Sequence, residues 1–174
     1  MCHCHGHKTV KYDMIVLSGS LWKGLKVLIS TKKRTFLETP ISDFIIPVEK
    51  VAHVLVGNSA EHALLVLTKT GYSQVPVLDT NFHIHGLVSS KVITEAILGL
   101  ERIEYEKLSQ IKVDDCMDRN VTILKIDDTF QKALDLVINH AFLCVVDYDG
   151  TFAGILTRRV ILKQLKKYIY QTSD

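Results

Sequence analysis

The chain has 174 residues, of which 47% are hydrophobic, enough for one well-packed domain or two small interlocked ones. Its charged fraction is 23% and its net charge +2, which is too small to suggest non-specific nucleic-acid binding. No apolar run reaches the roughly 18 residues that span a bilayer.

In chain order, residues 1–27 stand apart from the rest of the sequence. The run from Met14 to Ile29 is interrupted by Lys23 and Lys26 and has no small-residue cleavage site after it, so the chain reads as cytosolic and soluble, with no membrane segment. Cys2-His3-Cys4-His5-Gly6-His7 offers soft ligands suited to zinc or copper. Those ligands alternate within six residues instead of forming two spaced pairs. The expectation is an extraneous or disordered extension, with translation starting near Met14 or Leu28. Metal binding through this segment is the alternative.

Residues 28–39 form a lead-in, and residues 40–98 a first repeat. The repeat begins with a strand over 52–56. Asn58 opens a helix, with Glu61 three residues on completing a capping box, and Ala63, Leu64 and Leu67 lie on its core face. Gly71 ends that helix. Strands come next over 74–78 and 85–88, joined by a turn at 79–82, and Ser89 caps a helix running to about residue 98. Residues 99–112 are a linker whose charged stretch, Glu101 to Lys107, reads as a solvated helical face.

Residues 113–174 repeat the plan. Strands fall at 121–126, 143–147 and 152–156, and helices at 128–139 and from Thr157 to about residue 170, with Asp128 as the first helix cap. The helix residues Glu61 and Ala63 recur as Gln131 and Ala133 at an offset of 70, and Gly86-Leu-Val-Ser89 recurs as Gly154-Ile-Leu-Thr157 at an offset of 68. Duplication sets the architecture. It predicts an α/β (α+β) fold of two β-α-β-β-α repeats related by a pseudo-two-fold axis, with a binding cleft on that axis.

Thr157-Arg158-Arg159 stands at a helix start, where positive charge opposes the helix dipole. A phosphate there would compensate, meeting the free N–H groups, the Thr157 hydroxyl and the planar guanidinium forks. The alternative is a pair of solvated or salt-bridged surface arginines. Cys116 and Cys144 read as small core residues. The histidines make no catalytic or metal-ligand pattern, and neither a nucleophile in a recognisable setting nor a P-loop occurs, so no enzyme activity is expected.

The repeat order, Gly71-Tyr-x-x-x-Pro-Val77 before the middle strands and Gly-h-h-Ser/Thr (h apolar) before each last helix, resembles the tandem CBS domain over residues 40–170. The stretches Asp43 to Val54, His62 to Tyr72, Gly99 to Leu108 and Gly154 to Val160 are similar to small stand-alone CBS pairs of Gram-positive bacteria that bind cyclic di-AMP. That resemblance implies a ligand contact at Lys50, which by spacing alone is a strand-edge gatekeeper, and close approach of an adenine to Ala52. Tyr72 either stacks on a purine or packs in the core, and Ser73, Gln74 and Val75 lie where an adenine edge would be read. The pocket of the second repeat, at Ala141-Phe142, is expected to be more apolar.

Many nucleotide-binding CBS domains carry Gly-h-h-Thr-x-x-Asp, whose carboxylate grips ribose hydroxyls. Val92 and Val160, each preceded by a cation (Lys91 and Arg159), occupy that position here, which disfavours the alternative of an AMP, ADP or ATP sensor. The resemblance further implies a homodimeric cytoplasmic regulator of the stringent response, with a partner such as a guanosine tetraphosphate synthetase or pyruvate carboxylase.

Overall fold

The computed structural model describes residues 35–171. The Cys2–His7 segment and most of the lead-in lie outside the described residues. A 3-10 turn (Ile41–Phe44) leads into β1 (Ile46–Pro47), and a second turn (Val48–Lys50) into the first repeat. This consists of β2 (Val54–Leu55), α1 (Ala60–Thr70), β3 (Gln74–Leu78), β4 (Ile84–Ser89) and α2 (Ser90–Ala96). The second repeat comes after α3 (Val113–Cys116) and comprises β5 (Ile123–Lys125), α4 (Phe130–Val137), β6 (Phe142–Val146), β7 (Phe152–Thr157) and α5 (Arg158–Gln171).

Helix ends obey local chemistry. Gly71 closes α1 in the left-handed region (φ 69°), its N–H reaching Leu67 O at 2.9 Å. The N-caps, however, fall one residue later than expected. The Ser59 hydroxyl accepts from His62 N at the start of α1, and Thr129 Oγ1 from Lys132 N at the start of α4. Asn58 and Asp128 instead fold back on the preceding strands, accepting from Leu55 N and Lys125 N. Two capping residues stand side by side in each repeat, and the hydrogen bond to the strand assigns the first of them to the turn. Ser89 caps α2, as expected, and Thr157, read as the first helical residue, is instead the cap of α5.

Each repeat has a small sheet. β3 runs parallel to β2 and antiparallel to β4, while β6 runs parallel to β5 and antiparallel to β7. Val75–Leu78 and Leu143–Val146 are buried throughout, because the central strands are covered on both faces.

The repeats exchange arms. β1 pairs antiparallel with β7 of the second repeat, Ile41 N donates to Asp128 O, Phe130 N donates to Thr39 O, and Ile41 is fully buried in the second-repeat core. The segment before the second repeat does the same for the first. Ala60 N donates to Ile111 O, Val113 N to Asn58 O, Leu87 and Asp118 exchange a bridge, and Val113 enters the first-repeat core. A third core, holding Val51, Leu78, Cys144, Phe152 and Ile155, is shared by both repeats.

The linker differs from expectation. Only Tyr105–Lys107 forms a 3-10 turn. Gly99 N donates to Arg102 O and Glu104 N to Ile97 O, folding the chain back after α2, and the ion pairs Arg102–Glu106 and Glu104–Lys107 hold the loop.

Candidate functional site

The shared core forms the floor of an open cavity of about 460 Å³ between the repeats. That volume lies within the range of small-molecule sites. Its walls come from parts of the chain far apart in sequence. β1 supplies Ile46, and the 3-10 turn and the residues after it supply Lys50, Val51 and Ala52. The turn that ends α1 brings Gly71, Tyr72 and Ser73, followed by Gln74 and Pro76 of β3. From the second repeat come Ala141 and Phe142 at the start of β6, Ile155 and Thr157 of β7, and Arg159 in the first turn of α5.

Seven of the nine sequence candidates meet at this cavity: Lys50, Ala52, Tyr72, Ser73, Gln74, Thr157 and Arg159. Tyr72 is 49% exposed, which removes the core-packing alternative and leaves its ring open to a ligand. Two candidates are placed elsewhere. Val75 is fully buried in the first-repeat core, because alternation along β3 turns it to the opposite face from Gln74 and Pro76. The Arg158 guanidinium is turned to the end of α4, donating to Val137 O (3.2 Å), Ile138 O (3.3 Å) and His140 O (2.8 Å).

Sequence reasoning placed Ala141 and Phe142 in a separate second pocket, whereas both line this one. They stand at an offset of 68 from Ser73 and Gln74, so the signal lay in the duplication itself. Equivalent strand starts near a pseudo-two-fold axis face each other. The contributions of Ile46 and Ile155 had no such signal, since they depend on the pairing of β1 with β7.

The electrostatics of the cavity are one-sided. Lys50 and Arg159 line it, and no Asp or Glu does. Neither cation forms an ion pair among the described residues. The first turn of α5 and the Thr157 hydroxyl, whose oxygen accepts from Val160 N, lie at the same end. The arrangement suits an anion with an apolar, stackable body: the aliphatic floor and Tyr72 for the body, Lys50 and Arg159 for the charge.

Nothing in the described residues forms a nucleophile's setting. Burial pushes the Cys144 thiol up to about 12 and also raises that of Cys116, so neither is a ready thiolate. His83 and His85 both approach the Asp79 carboxylate, at 3.5 and 3.1 Å, in the β3–β4 turn, away from the cavity. No cluster of three or more His, Cys, Asp or Glu residues able to hold a metal occurs among the described residues. No helix among them is long and apolar enough to cross a membrane.

Comparison with known proteins gives a consistent picture. The CBS domain matches residues 41–99 and 113–167. The chain is 49% identical over 142 residues to the cyclic di-AMP receptor B of Bacillus subtilis, covering 82% of this chain and 97% of that protein. Among solved structures it is similar to the CbpB protein of Listeria monocytogenes in complex with c-di-AMP, with 52% identity and a TM-score of 0.70 over 75% of this chain and 98% of that one. A CBS domain-containing protein from Bacillus anthracis is likewise similar, with 52% identity and a TM-score of 0.72 over 78% and 98% of the two chains.

Proposed function

Because this chain belongs to the CBS-domain family, with two CBS repeats, we propose that it is a non-enzymatic receptor that binds cyclic di-AMP in the inter-repeat cavity and regulates a partner protein by its occupancy. The observation that carries this reading is the cavity wall, built from both repeats at once. It has two cations unpaired among the described residues, no carboxylate and an exposed tyrosine. Lys50 and Arg159 meet phosphates, Thr157 and the first turn of α5 add donors, and Tyr72 stacks on a base with Ala52, Ser73 and Gln74 around it. The naming of a 49% identical relative as a cyclic di-AMP receptor supports the choice of ligand. Val92 and Val160, standing where a ribose-gripping Asp would be expected, weigh against AMP, ADP or ATP.

The ligand bridges the repeats and so selects one arrangement of them. A ligand that binds one state stabilises it by RT ln(1 + [L]/Kd), about 2.7 kcal/mol at a hundredfold excess over Kd. By the same linkage, a partner that prefers the other state is released. A guanosine tetraphosphate synthetase or pyruvate carboxylase is the expected kind of partner. The exposed apolar side chains Leu65, Ile138, Leu162 and Ile169 fit assembly as a homodimer in the cytoplasm, whereas Ile93 and Ile97 are buried in the monomer.

Titration and thermal melting with cyclic di-AMP, AMP, ADP and ATP test the proposal. Cyclic di-AMP should bind most tightly and raise the melting temperature most, and capture of the partner should fall as it binds. Equal stabilisation by AMP would make the protein a mononucleotide sensor. A chain starting at residue 28 should bind the nucleotide unchanged; loss of binding would point to the Cys2–His7 segment.

A further inference from the structure

We infer that Arg158 is a positioning residue for this cavity, a clamp that holds two of its wall segments together without touching the ligand. The inference rests on the reading of the cavity as an anion site. Helix α4 ends at Val137 with Ile138 still in a helical conformation. In the first repeat Gly71 closes α1 with a left-handed residue, but no glycine stands at the end of α4. The last carbonyls of a helix need partners, and a cation there complements the dipole.

The Arg158 side chain supplies that closure from the start of α5. Nε donates to Val137 O (3.2 Å) and His140 O (3.1 Å), and one terminal nitrogen donates to Ile138 O (3.3 Å) and His140 O (2.8 Å). The Arg158 backbone N–H also donates to Ala141 O at 2.9 Å.

These bonds converge on the cavity. Immediately after the clamped carbonyls come Ala141 and Phe142, which line it, and on either side of Arg158 stand Thr157 and Arg159, which line it too. Beyond the backbone pairing of Phe142 with Thr157, this side chain braces the apolar wall at β6 against the anion end at α5. Only an arginine has a fork that reaches several carbonyls at once; the single ammonium of a lysine does not reproduce it. The two adjacent arginines thus divide the work, Arg159 facing the ligand and Arg158 facing the backbone.

The test compares the full chain with Arg158→Met, Arg158→Lys and Arg159→Met. Cyclic di-AMP is titrated at several salt concentrations, and amide hydrogen exchange is measured without ligand. Arg158→Met should weaken binding roughly three- to thirtyfold, the range for residues that modulate a site without contacting its ligand. Its salt dependence should match that of the original chain, because no phosphate contact is lost. Arg158→Lys should behave like Arg158→Met, while Arg159→Met should lose both affinity and salt dependence.

Exchange in Arg158→Met should rise at residues 139–142 and 157–160 and stay unchanged at residues 72–74. A salt dependence reduced as in Arg159→Met would make Arg158 a ligand contact and overturn the inference. So would unchanged affinity, full rescue by lysine, or a uniform rise in exchange across both repeats. Should the unaltered chain bind no cyclic di-AMP, the ligand assignment fails by itself. The clamp is then judged by the exchange pattern alone.

Discussion

At the scale of single residues, the cavity depends on side chains facing it with charge and on turns that hold their shape by local hydrogen bonds. Arg159→Ala should weaken cyclic di-AMP binding roughly ten- to a hundredfold, the loss expected for a charge-assisted hydrogen bond, and more than Lys50→Ala. The fold should survive, since the change also removes a positive charge from a helix N-terminus; isothermal titration with far-ultraviolet circular dichroism checks both. Asp79 gives a pH prediction. Its carboxyl is held at about 2, first by the His83 backbone N–H and then by the His85 ring and the Asn81 N–H, which together outweigh partial desolvation. In the unfolded chain the group titrates near 3.8. The folded state therefore gains stability from Asp79 that is present in full above that value and lost as pH falls through about 2. Asp79→Asn should be the less stable protein at neutral pH, and its deficit should narrow between about pH 4 and pH 2 in urea titrations across that range.

At the scale of elements, β1 is a two-residue strand with a large consequence. It pairs with β7 at Ile46↔Ile155 and Pro47↔Gly154, and so delivers Ile46 to the cavity and Lys50 to its rim. The pairing is possible because position 154 has no side chain. Gly154 sits at φ 150°, and a methyl group there would overlap the carbonyl of Ile46. Gly154→Ala should therefore cost about 3 kcal/mol through overpacking and backbone strain. It should also weaken ligand binding, because β1 is displaced from the wall. A shifted urea midpoint together with reduced affinity is the expected result; reduced stability with intact affinity would separate β1 from the site. Gly86, its counterpart in the first repeat, lies against Met117 and Asp118 in the same way, which is why both repeats keep a glycine at this point of their last strand.

At the scale of the whole molecule, the exchanged arms make the repeats one folding unit. Ile41 comes before β2 of the first repeat and is buried with Phe130, Leu143 and Leu156 of the second, while Val113 comes before β5 of the second and is buried with Val54, Ala63 and Val75 of the first. Ile41→Ala should destabilise the protein by about 2–5 kcal/mol and shift a single unfolding transition seen alike by fluorescence and circular dichroism. Two separate transitions would mean that the repeats fold independently. Much of this was legible in the sequence. The duplication, the central strands, the glycine that ends α1 and the cap Ser89 rest on short-range pattern, which hydrophobic period and backbone sterics impose before any tertiary contact forms. Seven of the nine proposed site residues also meet at one cavity. Tertiary structure decided the rest. Asn58 and Asp128 became turn residues because strand amides reached them first, and Arg158 left the cavity because the end of α4 presents it with carbonyl groups. Ala141 and Phe142 joined the first repeat's pocket because the pseudo-two-fold axis sets the strand starts face to face. In each case the choice lies between two partners for one polar group or one face, and only the geometry of distant segments settles which partner comes within hydrogen-bonding or packing distance.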